Sequence, residues 1–335
     1  MRVDLIKPSK GIKYDITPAC AKVEWAGAAL SAGRSVSIDY VNAPFDKTVF
    51  VPAIELGDVL ALSDDKGEEV FYGQVFATER SSQIGTITYT AYDIMRHLVE
   101  STGQYKFKNV TPEAIAQQVC ADMQIPVRFL YPTGINIASM LCDQMTIYDI
   151  IMAGYTKASK ISGEKYFAMI YKRGFAVYSA VWAVEGFTLS DESNIYESDV
   201  TESMMAVRNR VKIYDDKGAQ IGEINDAESA KVYGIFQEIY KQEDGVDPQT
   251  AAQKLIKVKP DQTIKISAIG DINCLSNYNV ELKDKATGLS GKYWIKSDKH
   301  IWENGSHTME LELSFDKLMD TKESTKEDTK KEAGK

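Results

Sequence analysis

The chain has 335 residues, 44% of them apolar, and carries 48 acidic against 39 basic side chains for a net charge of −9. That length and apolar content allow two or three domains with real cores and exclude a wholly disordered chain. Lys and Arg are spread along the sequence rather than gathered into a basic block, so sequence-independent binding to a phosphate backbone is not expected.

The amino-terminal MRVDLIKPSKGIKYDITP lacks the apolar stretch of a signal peptide, and no run of apolar residues is long enough for a membrane span. A protein made in the cytosol, without stable membrane insertion, is the expectation. Cys20, Cys120, Cys142 and Cys274 form no CxxC pair, which points to reduced, mostly buried thiols.

From about residue 20 to 93 the pattern has period two. Val36, Ile38 and Tyr40 alternate with Ser35, Ser37 and Asp39, and DDKG at 64–67 separates two strand-like runs as a hairpin turn would. Thr111 and Pro112 then read as the cap and first turn of a helix whose Ile115, Ala116, Val119, Cys120 and Met123 share a face before Pro126. A second helix is predicted from Thr146 to Gly163, followed by a hairpin in KYFAMIYKRGFAVYS with its turn at RG. In AVRNRVKIYDDKGAQIGEI a strand, turn and strand place Val207, Val211 and Ile213 opposite Arg208, Arg210 and Lys212. Those three cations either dock an acidic neighbour or form a solvated face, and the latter is favoured. Two more helices are predicted, one through Val232, Ile235, Phe236, Ile239 and Tyr240, the other capped by Asp247 and Pro248. Strands resume from Ile264 to Phe315, and DTKESTKEDTKKEAGK reads as a solvated tail.

The densest chemistry lies in GKYWIKSDKHIWENGSHTMELELSF, residues 291–315. Asn304–Gly305 fits a two-residue type I′ turn, which needs positive φ at both positions. That turn sets Trp302 opposite His307 and His300 opposite Met309, with Asp298, His300, Trp302, His307, Met309, Leu311 and Leu313 on one face. Two imidazoles and a carboxylate could share a cation, but a face of Trp, Met and Leu reads as core, and a fourth ligand is lacking. The GAALSAGRS segment, Gly27 to Ser35, is too long between its glycines for a phosphate loop and lies between strands. His97 falls on an amphipathic turn. No residue is nominated as catalytic, cofactor-binding or metal-ligating, and no cofactor is expected.

ELGDVLALSDDKGEEVFYGQVF at 55–76, TITYTAYDIMRHLVEST at 86–102, NVTPEAIAQQVCADMQIPV, VTESMMAVRNRVKIYD and IKSDKHIWENGSHTMELEL resemble, in order and spacing, the baseplate hub proteins of contractile phage tails and phage-like bacteriocin particles. The similarity is to the XkdQ/YqbQ type, related to late control protein D, and covers the chain to about residue 318. The resemblance implies a structural protein of the virion or phage-like particle, not an enzyme. It would be a homotrimer joining the tail tube protein to the central spike protein and other baseplate proteins, with the tape measure protein a further partner and no specific nucleic acid binding. It implies an α+β, β-rich fold: a first tube-like antiparallel β-barrel or sandwich domain over 1–95, an inserted α+β domain over 96–200, and a second tube-like domain over 201–318. A two-helix insertion at about 226–258 and a charged disordered tail over 319–335 complete it. The alternatives are a tail-associated peptidoglycan hydrolase and a different tail-tip adaptor of the same fold. An internal duplication is suggested by AIELGDVLAL before FYGQV and SAIGDINCL before LSGKYWI, with five residues inserted in the second.

Overall fold

The computed structural model describes residues 1–42, 51–80, 85–179, 182–243 and 246–325. The chain divides into two units, Met1–Glu197 with Ile266–Lys335, and Ser198–Lys265.

Alternating side chains and tight turns make the first half a sheet of β1 (Arg2–Lys7), β2 (Ile12–Asp15), β3 (Cys20–Ala28), β4 (Ser31–Asn42), β5 (Val59–Ser63), β6 (Glu69–Glu79) and β7 (Gly85–Asp93). Trp25, Val36, Ile38, Leu60, Leu62 and Val75 point into one buried cluster. The turn at 64–67 forms as expected: the Asp64 carboxylate accepts the Lys66 and Glu68 N–H groups at 2.9 and 2.8 Å, and Gly67 takes φ +81°.

A mixed helix and strand segment follows: α1 (Met95–Glu100), β8 (Thr102–Val110), α2 (Pro112–Asp122), β9 (Val127–Leu130), β10 (Ile137–Thr146), α3 (Ile147–Ser162), β11 (Tyr166–Tyr171) and β12 (Gly174–Ser179). Both helices have the caps read from sequence. Thr111 and Thr146 accept from Ala114 N and Asp149 N, and Gly163 closes α3 in the left-handed region. The β11–β12 turn is Lys172–Arg173, both at positive φ, one residue earlier than the RG reading.

After β13 (Ala183–Ser190) and β14 (Ile195–Ser203) comes the second unit, with β15 (Arg210–Tyr214), β16 (Gln220–Asn225), α4 (Ala227–Tyr233), β17 (Gln237–Lys241) and α5 (Pro248–Gln253). The helix expected through Val232 to Tyr240 does not run that far. It stops at Tyr233, Gly234 takes φ +81°, and β17 pairs in parallel with β15. Pairing sets Tyr240 beside Val211, Ile213 and Ala252, a burial that continued helix would not provide.

The chain closes with β18 (Asp261–Ile269), β19 (Asn279–Asp284), β20 (Leu289–Glu303) and β21 (Ser306–Ser314). Strand β3 pairs with β20 and so joins the two ends of the sequence in one sheet. The sheets stay open rather than closing into barrels, because β2 and β14 are end strands among the described residues.

The two ends repeat one connectivity, a hairpin followed by a three-strand meander. In the first, β5 pairs β6 and β6 pairs β7, which lies beside β4; in the second, β19 pairs β20 and β20 pairs β21, which lies beside β18. The registers match from Val59 to Leu62 and through the bulge, and diverge only at Ser63, where β5–β6 shifts and β19–β20 runs on. Val59↔Gln74 and Leu62↔Phe71 correspond to Asn279↔Trp294 and Leu282↔Gly291, and the bulge between Val75 and Ala77 corresponds to that between Ile295 and Ser297. Gly57 N donates to Val75 O and Asn277 N to Ile295 O, each at 2.9 Å, and Gly57 and Asn277 share positive φ, +91° and +74°. The duplication is therefore present at other positions than its sequence echo: Gly57 matches Asn277 rather than Gly270, Gly73 matches Tyr293, and no insertion separates them.

The segment expected to be a solvated tail is held against the core as far as Thr325: Met319 is buried in the cluster built around α2 and α3, Lys322 N donates to Thr156 Oγ1 at 3.0 Å, and Asp143 N donates to Thr325 Oγ1 at 2.9 Å. Residues 326–335 lie outside the described residues.

Only backbone conformation penalises a Cβ at position 57, where the nearest atom would be 3.8 Å away. Gly57→Ala and Asn277→Ala should each lose stability, by roughly 1–2 kcal/mol for Gly57→Ala. Asn277→Gly should cost less than either, as measured by denaturant unfolding.

Candidate functional site

The hairpin singled out in the sequence forms with the expected register. Asn304 and Gly305 take φ 51° and 75°, Trp302 faces His307, His300 faces Met309, and Asp298 faces Leu311. Trp302 and His307 stack with centroids 4.3 Å apart.

On its other side β20 meets β3, and this seam supplies what the sequence did not reveal. The Arg34 guanidinium reaches from β4 and donates through Nη1 to Asp298 Oδ1 at 3.0 Å and through Nη2 to Oδ2. Ser276 N donates to Asp298 Oδ1 at 2.7 Å, and the Asp298 side chain is fully buried. Gly27 lies opposite Asp298, where a Cβ would collide with the Arg34 guanidinium. The segment read as a failed phosphate loop is thus a strand-turn-strand that seats a buried ion pair. Arg34 also lies over Trp25, 4.1 Å from the ring centroid.

His300 is buried, and its Nε2 is 3.2 Å from Cys274 O while its Nδ1 is 3.2 Å from His307 Nε2. A carbonyl only accepts, so Nε2 carries the proton and donates to Cys274, and Nδ1 accepts from His307 Nε2–H. Burial lowers the pKa of His300 to about 4, overriding the nearby Asp298 carboxylate, and burial lowers that of His307 as well. The set is a neutral, internally bonded pair. Both nitrogens of His300 are engaged within the protein, Asp298 is engaged by Arg34 and Ser276, and among the described residues no group of three ligand side chains converges.

Asp93, at the end of β7, is another buried ionisable group missed from sequence. It accepts the N–H groups of Arg34 and Met95 at 2.9 and 3.0 Å, yet burial raises its pKa to about 6. His97 stays exposed on α1, its ring edge-on to Phe76, while Met95 and Leu98 turn inward. Arg208 and Arg210 pair with Glu238 and Glu223 of neighbouring strands at 3.2 and 3.4 Å, as surface charges do. All four cysteines are free, three of them buried. No helix among the described residues is long and apolar enough to cross a membrane.

The β-rich fold matches those of solved phage tail proteins. The 43 kDa tail protein of prophage MuSo2 from Shewanella oneidensis superposes with a TM-score of 0.70 at 17% identity, over 93% of this chain and 98% of that one. The E. coli c3393 protein, a type VI secretion component described as structurally similar to T4 tail proteins gp27 and gp5, superposes with a TM-score of 0.53 at 9% identity, over 92% and 76%. Residues 23–314 match the YQBQ-like family, and the chain belongs to it. It is 26% identical to the Bacillus subtilis (strain 168) protein YqbQ and 25% identical to the phage-like element PBSX protein XkdQ of the same strain, over 87% of this chain in each case and 90% and 91% of theirs. The resemblance to the XkdQ/YqbQ type read from the motifs holds, and the fold is that of phage tail proteins.

Two outcomes follow from the buried groups. His300, depressed from 6.5 to about 4, favours folding above pH 6.5, and that stability is lost as pH falls towards 4. Asp93, raised from 3.8 to about 6, favours folding in acid, and that stability is lost as pH rises towards 6. Each is worth about 3 kcal/mol and the two nearly cancel over pH 4–6. Asp93→Asn should therefore lose stability on acidification relative to wild type, and His300→Phe should gain it, in thermal melts across that range. Separately, a Cβ at Gly270 would overlap the His307 ring, so Gly270→Ala should destabilise and adding His307→Ala should recover part of the loss in a double-mutant cycle.

Proposed function

We propose that the protein is the trimeric baseplate hub of a contractile phage tail or phage-like particle, joining the tail tube to the central spike and surrounding baseplate proteins. The observation that carries this reading is the duplicated meander, with matching register, bulge and positive-φ position in both ends of the chain. Three copies with two similar halves each present six equivalent units, which suits the end of a sixfold tube. On this reading the two halves are the tube-like domains, and 96–200 is the insertion between them. A net charge of −9 supports a ring wall that does not retain phosphates. The role requires no catalytic residue, cofactor or metal.

Sedimentation or native mass measurement of the purified chain, with negative-stain imaging, tests the assembly. A ring-shaped trimer is expected, and a monomer or dimer persisting at high concentration overturns the hub reading.

A further inference from the structure

Within one chain the two repeats meet in a defined way. Residues Ser297–Glu303 of β20 pair on one side with β21 and on the other with Lys22–Ala28 of β3. Strand β19 occupies that second side only as far as Trp294, because Trp294 pairs with both β19 and β21 and the two must flank it. The first hairpin strand of one repeat thus docks on the edge that the other repeat's central strand exposes beyond its bulge.

The chain carries both halves of the same contact once more, unmatched. The counterpart of β20 is β6. Strand β5 covers its edge up to Gln74, while Ala77, Thr78 and Glu79, beyond the bulge, pair only with β7 among the described residues. Their counterparts are Ser297, Asp298 and Lys299, which β3 covers. The counterpart of β3 is β14, the first strand of the second hairpin. Ile269 N donates to Asn194 O and Gly270 N to His307 O, so the end of β18 lies between the start of β14 and β21, as β4 lies between β3 and β7. Strand β14 is an end strand of its sheet. Both edges are solvent-exposed, with Phe76 and Tyr196 37% and 66% accessible beside them.

We infer that β14 of one copy adds to the outer half of β6 of the next copy, Ala77–Glu79, repeating between chains the β3–β20 ladder seen within the chain. The occupant is a second copy because the unmatched strand and the unmatched edge are the two sides of a contact this chain already makes with itself. The contact is head-to-tail, which excludes a two-fold dimer and builds a ring when the rotation between copies closes. Backbone pairing also relieves two exposed strand edges that would otherwise invite aggregation. This inference rests on the trimeric hub reading and specifies its interface.

The test uses the full chain with Ala77→Cys combined in turn with Thr201→Cys, Glu202→Cys and Ser203→Cys under mild oxidation, and the single variants as controls. At least one pair should yield reducible covalent dimers and trimers that the singles do not. Hydrogen exchange at the amides of 77–79 should slow at least tenfold in the assembly relative to dilute protein. A trimer by mass with no cross-link from any pair and unchanged exchange overturns this interface alone. A persistent monomer overturns both the interface and the hub reading.

Discussion

The ladder between β3 and β20 is the contact on which the rest of the sheet depends. It joins the third strand of the chain to the first strand of its last hairpin, and among the described residues neither repeat reaches the other through a comparable run of backbone bonds. Strand β4 hangs on β3, β7 on β4 and β6 on β7, so the whole first meander is placed by this one seam.

The seam is specified more than it is strengthened by its charges. Taking Arg34 and Asp298 out of water costs about what their attraction returns, so the pair is a weak source of net stability. Its demands are geometric. The guanidinium fits only where Gly27 stands across from Asp298, and a slip of one residue would place Ala26 or Ala28 there and turn every inward side chain of β3 outward. The His300–His307 pair imposes a similar condition, since its hydrogen bonds are satisfied only with Cys274 O at one end and the β21 strand at the other.

What the sequence revealed was local. Asn304–Gly305, Asp64–Gly67 and the Thr-capped helices announce themselves because their chemistry is contained within a few residues. Strand β17 does not, because Ile235, Ile239 and Tyr240 satisfy a helical period equally well and only the distant partner β15 decides. The repeat was visible as a suspicion and misplaced in detail. Its true equivalences set Phe71 against Gly291 and Gly73 against Tyr293, so what is preserved is backbone pairing, bulge and φ rather than residue type. The candidate site was half legible: the facing of His300, Trp302 and His307 followed from turn geometry, while Arg34, Asp93 and Trp25 reach it through long-range pairing that no spacing rule encodes.

The placement of the seam also orders events on the ribosome. Strands β1 to β7 can pair as soon as they emerge, but the partner of β3 is among the last segments synthesised. Throughout the intervening translation β3 presents an unpaired, partly apolar edge, the kind of surface that recruits other nascent chains. Closing a loop of that length is slow compared with hairpin formation. Until β20 arrives, a neighbouring nascent chain could occupy the edge that belongs to the chain's own far end.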